Sequence, residues 1–109
     1  VIFVDVSTLQ SDPQASALYQ LENDPAYAGL TAAVEGRVYG VLPYNWYTIN
    51  YSTILVNSWY IGKVLYPERF SDTDPESKAR EIYHNILGRD VYDDMVSQFG
   101  TCRQIPPEN

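Results

Sequence analysis

The side chains able to do chemistry in this sequence are few and far apart. His84 is the only histidine and Cys102 the only cysteine. Catalysis normally needs a titratable group that a second group positions, so we expect no catalytic residues and a protein that is not an enzyme. We predict that His84 is a partly exposed helix residue. A single cysteine forms neither an intrachain disulfide nor a multi-cysteine metal site.

Acidic side chains gather in the C-terminal third of the chain. They are Glu68, Asp72, Asp74, Glu76, Asp90, Asp93 and Asp94. Their spacing differs from that of an EF-hand calcium loop, which needs oxygen ligands at alternate positions, then a glycine and a terminal glutamate. We therefore predict no metal site and assign these carboxylates to helix caps and solvated helix faces.

The most unusual stretch is LPYNWYTINYS, residues 42–52, which mixes aromatic rings with amides and hydroxyls. It lies within residues 38–62, a segment without Asp, Glu, Lys, Arg or His between Arg37 and Lys63. Tyr and Trp provide rigid faces with a polar tip, while Asn and Thr make neutral hydrogen bonds. The stretch is therefore either buried, in the core or in an interface, or a surface made for an organic ligand.

Composition limits the protein class. The chain has 109 residues, of which 45% are hydrophobic and 19% charged, as expected for a globular chain of one domain at most. The net charge is −7 and the pI about 4.4. Because phosphate binding needs clustered Lys and Arg, we expect no nucleic-acid partner.

The hydrophobic pattern predicts an α/β fold with a short parallel sheet. VIFVDV, residues 1–6, lacks clean polar alternation, which is typical of a strand buried on both faces. RVYGVLP, residues 37–43, predicts a second strand that Pro43 ends. Helices connect the two strands, so a right-handed crossover should place them parallel in one sheet. Two strands are too few for a stable sheet, so we expect others from upstream sequence or from an oligomeric partner.

Ligands of open α/β sheets bind beyond the carboxyl ends of the strands. The predicted ligand-binding residues are Ser7 and Thr8 after the first strand, and Tyr44, Asn45, Trp46 and Tyr47 after the second.

Helix signals fill the rest of the chain. Three Asp-Pro pairs suggest helix starts, with Asp as cap and Pro in the first turn; they are Asp12-Pro13, Asp24-Pro25 and Asp74-Pro75. After Asp24, the residues Tyr27, Leu30 and Val34 mark one helix face. Further helices are predicted over residues 51–66, 75–87 and 91–99, the first of them apolar on most sides and therefore packed. Residues 104–109 are predicted to fray.

Four segments in order resemble a known family. They are the helix with L..AV..GRVY, the strand ending in LP, the helix ending in GK.LYPE.F, and DP...A.EIY...LG..VYD.M. Together they resemble the C-terminal lobe of extracytoplasmic solute-binding proteins of ABC importers, in the class that handles ferric siderophores, haem and cobalamin. VIFVDVSTL resembles the strand that precedes these segments in that family.

The resemblance implies two Rossmann-like lobes joined by a rigid helix, as in class III periplasmic binding proteins, with ligand in the cleft between them. Residues 1–109 would then be a piece of the C-terminal lobe, with the N-terminal lobe absent and residues 44–47 facing the cleft. It implies a metal chelate as ligand, no resident cofactor, and an ABC permease in the membrane as partner. It also implies a place in the periplasm or at the cell surface, anchored through a missing N-terminus.

Three alternatives stay open. The same fold could bind a bare metal ion or an oxyanion, although a bare cation needs His or carboxylate ligands that residues 44–49 lack. The chain could be a scaffold fragment of a nitrogenase-like α/β enzyme. It could also be an interaction domain that uses Tyr and Trp as protein-binding anchors.

Overall fold

A computed structural model of the chain describes residues 1–10, 13–46 and 48–105. The strands are β1 (Ile2–Asp5), β2 (Val38–Val41), β3 (Asn45–Trp46), β4 (Thr48–Ile49) and β5 (Arg103–Gln104). The α-helices are α1 (Ala17–Asn23), α2 (Thr31–Val34), α3 (Tyr51–Leu65), α4 (Pro75–Leu87) and α5 (Tyr92–Phe99). The mixed α/β class predicted from the sequence is confirmed. The chain divides into two compact units, Val1–Leu42 with the segment from Thr101 onward, and Pro43–Gly100.

The first unit is built on a three-stranded sheet in the order β1-β2-β5. β1 and β2 run parallel, with Ile2 opposite Val38 and Asp5 opposite Val41. This parallel pair is the one that the sequence predicts. The crossover between the strands contains α1, α2 and 3₁₀ turns at Val6–Gln10, Pro13–Ala15 and Pro25–Tyr27.

The core of this unit lies on one face of the sheet. Val4, Val38 and Ile105 are buried together, and partly buried residues pack against them: Ile2, Leu9, Ala17, Leu18 and Leu21. The Leu and Ala side chains come from the first 3₁₀ turn and α1, so these elements cover the sheet. Gly40 is needed in β2, because a Cβ there would lie 2.5 Å from Cγ1 of the fully buried Val6.

A short third strand, β5, was not predicted from the sequence. It pairs antiparallel with β2, and the Gln104 side-chain amide donates to the Gly36 carbonyl at 2.9 Å. The Ile105 amide donates to the Val38 carbonyl at 2.9 Å, and its side chain is buried. The prediction of a frayed tail is therefore wrong for residues 104–105, while residues 106–109 lie outside the described part. Two exposed polar residues carry no strand signal, so only the pairing partner reveals β5.

The single helix predicted after Asp24 is also wrong. Asp24 caps as expected, since its carboxylate accepts from the Ala26 amide at 2.9 Å. The helical conformation then breaks around Gly29 and resumes as the four-residue α2. Glycine disfavours a helix interior because of its conformational freedom. The predicted inward face is exposed as a result, at 38% for Tyr27, 41% for Leu30 and 71% for Val34. At the other pair in this crossover, Asp12 lies outside the described residues.

The second unit is organised by α3 and α4, which pack antiparallel. Thr53 meets Tyr83, Trp59 meets Lys78, and the Lys63 amine reaches the Thr73 carbonyl at 2.6 Å, so the residue numbers run in opposite directions along the contact. The buried apolar residues of this contact are Val56, Ala79, Ile82 and Tyr83.

The prediction that α3 is packed on most sides is wrong, because it is buried along one face only. It buries Ser52, Thr53, Val56 and Asn57, while Leu55 and Leu65 are exposed at 43% and 45%. The hydroxyls of Thr53 and Tyr83 are hydrogen-bonded at 2.9 Å, which satisfies both groups inside the contact. The hydrogen bond to Tyr83 thus explains why a polar face of α3 is buried.

The caps of α4 agree with the sequence, with Asp74 at its start and Gly88 at its end, whereas the N-cap residue of α5 is Val91, one residue after Asp90. The Asp74 carboxylate accepts from the Glu76 amide at 3.3 Å, and Gly88 ends α4 with a φ of 78°. The Asp90 carboxylate accepts from the Tyr92 amide at 2.9 Å at the start of α5. Ile86 has the same 3.6-residue spacing as the buried Ala79, Ile82 and Tyr83, but it is 55% exposed.

Candidate ligand-binding site

The stretch at residues 44–49, expected to be an irregular loop, is a small β-hairpin. The main-chain pairs are Asn45 opposite Ile49 and Trp46 opposite Thr48. The Asn50 amide donates to the Tyr44 carbonyl at 2.7 Å and closes the base of the hairpin. The hairpin therefore has a defined backbone and can present side chains in fixed positions. For Trp46 the structure describes only this main-chain pairing, and Tyr47 lies outside the described residues.

Asn50 connects the hairpin to α3. Its side-chain oxygen accepts from the Ser52 hydroxyl at 2.7 Å and from the Thr53 amide at 3.3 Å. This is an N-cap, which satisfies an amide that the first turn of a helix leaves unpaired. Because Thr53 is fully buried against α4, the cap ties the base of the hairpin to the contact between α3 and α4.

The hairpin and its base expose rings and neutral polar groups together. Tyr44 is 41% exposed, Ile49 48% and Tyr51 74%, and the side chains of Asn45 and Thr48 are exposed as well. The alternative that these residues are buried in the core is wrong for Tyr44 and Tyr51. Phenol rings can stack on a flat or apolar ligand surface, while amides and hydroxyls fix its orientation. We call the five residues of this paragraph the hairpin surface.

Ser7 and Thr8 belong to the first unit and have local partners there. The amide and hydroxyl of Ser7 both donate to the Asp5 carboxylate, at 2.8 and 2.7 Å. The Thr8 hydroxyl donates to the Asp5 carbonyl at 2.7 Å. These bonds fold the chain into the 3₁₀ turn directly after β1. Ser7 and Thr8 lie beyond the carboxyl end of β1, as predicted, and their role toward a ligand stays a prediction.

The two residues most suited to catalysis, His84 and Cys102, have different surroundings. His84 is exposed on α4, as predicted. Burial raises the pKa of the Cys102 thiol. A nucleophilic cysteine needs the opposite shift, because the thiolate is the reactive form. The Cys102 thiol therefore lacks the lowered pKa of a nucleophilic cysteine.

The acidic residues lie on exposed surface, as the sequence predicts. All seven are exposed: Glu68, Asp72, Asp74, Glu76, Asp90, Asp93 and Asp94. Hydrogen bonds from Arg80 lower the pKa of Asp93, and the hydroxyl of Ser77 lowers the pKa of Asp74. Within residues 1–10, 13–46 and 48–105, no three His, Cys, Asp or Glu side chains are grouped to hold a metal ion.

Arg80 organises three of these carboxylates. Its guanidinium lies 3.0 Å from Glu76, 3.0 Å from Asp90 and 2.7 Å from Asp93. It also stacks 4.8 Å above the ring of the buried Tyr92. Arg80 therefore links α4 to α5 through ion pairs. Sequence spacing alone indicates only the i,i+4 pair with Glu76.

An apolar groove on α3 was missed by the sequence reasoning. It has a volume of about 270 Å³ and is lined by Leu55, Ser58, Trp59 and Phe70. The rings of Trp59 and Phe70 meet edge to face at 5.8 Å between centroids. The signal was present in the sequence, since Leu55, Ser58 and Trp59 are spaced at i, i+3 and i+4 on one helix face.

Comparisons with known proteins add no assignment. None of the helices in the described part of the chain is long and apolar enough to cross a membrane. No protein-family model matches the chain, and no match was found among curated proteins.

Proposed function

We propose that this chain is part of the substrate-binding component of an ABC importer. It would capture a ferric siderophore or a related metal chelate outside the cytoplasm and deliver it to a membrane permease. The observation that carries the proposal is the hairpin surface. Tyr44 and Tyr51 are exposed on a backbone that Asn50 fixes to α3, in a segment without charged residues.

The proposed mechanism is binding without reaction. The Tyr44 and Tyr51 rings stack on the organic periphery of the chelate, each contributing about 0.5–1.5 kcal/mol beyond the area they bury. Asn45 and Thr48 offer hydrogen-bonding groups on opposite faces of the hairpin, so each can orient a chelate from its own side. The metal keeps the ligands of the chelate, so the protein needs no His or carboxylate of its own at this surface.

The resemblance in sequence supports the same function. The four segments that resemble the solute-binding family occur in the order and with the approximate spacing of its C-terminal lobe. The parallel β1-β2 pair and the helices between its strands agree with an α/β lobe. The chain continues from β2 into the hairpin, which is the connection expected to carry ligand-binding residues in such sheets.

The alternatives make different demands on the hairpin surface. A bare cation calls for His or carboxylate ligands, and Asn45 and Thr48 provide neutral groups only. A nitrogenase-like scaffold calls for a cofactor held by other residues, so changes at the hairpin would leave its binding intact. A protein partner would bury the same rings, but it would not make them sensitive to small chelates.

The test is a tryptophan-fluorescence titration of the protein with ferrichrome, ferric enterobactin, haemin and cyanocobalamin. The proposal predicts saturable quenching by at least one compound at micromolar concentration, and weaker binding by the Trp46→Ala variant with little change in melting temperature. Quenching by none of the four would contradict the proposal and favour the bare-ion or scaffold alternatives. A collapse in melting temperature with unchanged affinity per folded molecule would make Trp46 a structural residue.

A further inference from the structure

We infer that Asn50 and Tyr83 are positioning residues for ligand binding. They act through other residues, by holding the β3-β4 hairpin in the form that presents Tyr44 and Tyr51. The inference rests on the proposed function and adds to it a residue of α4, outside the hairpin surface. It predicts that a change at Tyr83, which is only 1% exposed, weakens binding at a surface built by other elements.

The hairpin needs support from outside because its own interactions are few. β3 and β4 have two residues each and pair at two positions. A two-stranded hairpin of this kind is at best marginally stable in water when isolated. The side chains of residues 44, 45, 48 and 49 are exposed, so their burial contributes little to the stability of the hairpin. We therefore expect the hydrogen bonds at its base to decide how well it is ordered.

Asn50 provides this support with both its main chain and its side chain. Its amide donates to the Tyr44 carbonyl at 2.7 Å across the base of the hairpin, and its carbonyl accepts from the Ile54 amide at 3.1 Å in the first turn of α3. Its side-chain oxygen accepts from the Ser52 hydroxyl at 2.7 Å and from the Thr53 amide at 3.3 Å. Asn50 thus bonds to the hairpin on one side and to α3 on the other, which fixes the direction in which the hairpin leaves the helix.

Tyr83 extends the support to α4. Its hydroxyl lies 2.9 Å from the Thr53 hydroxyl, and both side chains are buried. Such a hydrogen bond is costly to break, because a buried hydroxyl left without a partner has also lost its hydration. Thr53 is therefore held by α4 through its side chain, while its amide donates to Asn50. The path from Tyr83 to Tyr44 is a series of hydrogen bonds within one compact unit, Pro43–Gly100.

A second helix cap in the same unit separates positioning from general stabilisation. Asp74 caps α4 much as Asn50 caps α3, since its carboxylate accepts from the Glu76 amide at 3.3 Å and from the Ser77 hydroxyl at 2.8 Å. It lies at the start of α4, whereas Tyr83 meets α3 in the second half of α4. Loss of either cap should lower the stability of the unit. Only loss of the cap on α3 should loosen the hairpin.

The first measurement is amide hydrogen exchange, followed by NMR in the protein without ligand. The reporter is the main-chain amide of residue 50, which donates to Tyr44. We expect Asn50→Ala to speed its exchange about fivefold or more, and Asn50→Ser, which keeps a capping oxygen, to restore most of the protection. Tyr83→Phe should speed it by a smaller factor, about twofold or more. Asp74→Ala should change it by less than about twofold.

Exchange that is unchanged in Asn50→Ala, or raised equally in Asp74→Ala, would overturn the inference. Exchange that is unchanged in Tyr83→Phe would overturn the role of Tyr83.

The second measurement is binding by the same variants, titrated with ferrichrome, ferric enterobactin, haemin and cyanocobalamin. Affinity for the chelate that binds the parent should fall in the order of the exchange rates, with Asn50→Ala weakest, Asn50→Ser close to the parent and Asp74→Ala unchanged. Faster exchange with unchanged affinity would overturn a positioning role in binding. No binding of any of the four by the parent would contradict the proposed function, whereas the exchange rates, measured without ligand, decide independently whether Asn50 and Tyr83 position the hairpin.

Discussion

The exposed tyrosines at the two ends of the hairpin are the residues on which the proposed function depends most. Tyr44 precedes β3 and Tyr51 begins α3, so the backbone fixes both while 41% and 74% of their surface stays exposed. Exposed aromatic side chains contribute little to folding, because they lose little contact with water.

A pair of truncations tests this role. Tyr44→Ala and Tyr51→Ala should each weaken chelate binding about two- to tenfold, through the lost stacking. The matched control is Tyr66→Ala, which removes a 59% exposed tyrosine beyond the C-terminal end of α3 and should leave affinity unchanged. Melting temperatures measured in parallel should shift little for all three. Equal loss of affinity in the control would show that the effect is not local to the hairpin.

The buried hydroxyl pair of Thr53 and Tyr83 holds the α3–α4 contact at the residue scale. Tyr83→Phe removes one member and leaves the other in a buried place, which should cost about 1–2 kcal/mol of unfolding free energy. Thr53→Val, which is nearly isosteric, should cost a similar amount. The double variant should lose less than the sum of the two, because each single variant already removes the same hydrogen bond. Urea denaturation measures all three, and strict additivity would mean that the two hydroxyls do not interact.

Residue roles were predictable where they follow from local spacing. Ala79, Ile82 and Tyr83 are inward as the 3.6-residue period requires, and Asp74 caps as its Pro neighbour suggests. The partner of the Tyr83 hydroxyl was not predictable, because Thr53 lies 30 residues away in the chain. Contacts at that separation are set by packing and leave no local pattern.

At the scale of elements, α3 packs closely against the turn that follows it. A Cβ at Gly62 would lie 2.5 Å from Cζ of Phe70 and 3.0 Å from both Cε atoms. Gly62→Ala should therefore destabilise the protein by about 1–3 kcal/mol through overpacking, less the gain in helix propensity of up to about 1 kcal/mol.

The sign of this effect should depend on Phe70. In a Phe70→Ala background the overlap is gone, so Gly62→Ala should become stabilising through helix propensity alone. Urea midpoints of the four proteins, including the parent, measure the reversal. If Gly62→Ala destabilises equally in both backgrounds, the close approach of Phe70 to α3 is not what requires glycine.

The junction of α4 and α5 should respond to pH. Hydrogen bonds from Arg80 hold the pKa of Asp93 below its ordinary value near 3.8. A carboxyl with a lowered folded-state pKa stabilises the fold above its unfolded pKa, and that contribution disappears as pH falls through the folded-state pKa. Asp93→Asn should therefore be slightly less stable than the parent at pH 7, and the difference should begin to shrink as pH falls below 3.8.

Urea midpoints from pH 7 to pH 3 measure this difference. Asp94→Asn is the control, because Asp94 makes one longer contact of 3.6 Å with Arg89, whereas Asp93 lies 2.7 Å from Arg80. Both carboxylates are mostly exposed, so both effects are small, and the effect of Asp94→Asn is the smaller of the two. A gap between parent and Asp93→Asn that is the same at pH 3 as at pH 7 would contradict an ionic contribution from Asp93.

Among the elements, those with strong end signals were predictable. α3, α4 and α5 begin and end within a residue or two of the predicted bounds, because Asn50, Asp74, Gly88 and Asp90 act at their ends. The β3-β4 hairpin was not predictable, because each strand has two residues and no alternation can develop in so short a run. The predicted helix around Gly29 is wrong for the opposite reason. The apolar residues there are spaced as in a helix, but the backbone does not form one continuous helix.

At the scale of the whole molecule, the sequence predicts the parallel strand pair and the α/β class correctly. Both follow from two apolar runs separated by helical signals. The sequence also contains an uncharged segment, residues 38–62, although the net charge of the whole chain is −7. The polarity of a ligand site can thus be inferred from composition, while its backbone form cannot. The backbone pairing of the hairpin is what brings these residues close together in space.

The measurement that tests the central claim most directly is an NMR titration of the isotope-labelled protein with a neutral ferric trihydroxamate, using its gallium complex as the diamagnetic control. The paramagnetic iron broadens nearby amide resonances, whereas gallium only shifts them. The proposed site predicts that broadening centres on residues 44–51 and fades toward Phe70 beyond the far end of α3. Broadening centred on the groove of Leu55, Trp59 and Phe70 with residues 44–49 unaffected, or no broadening at saturating chelate, would contradict the assignment of the ligand site to the hairpin.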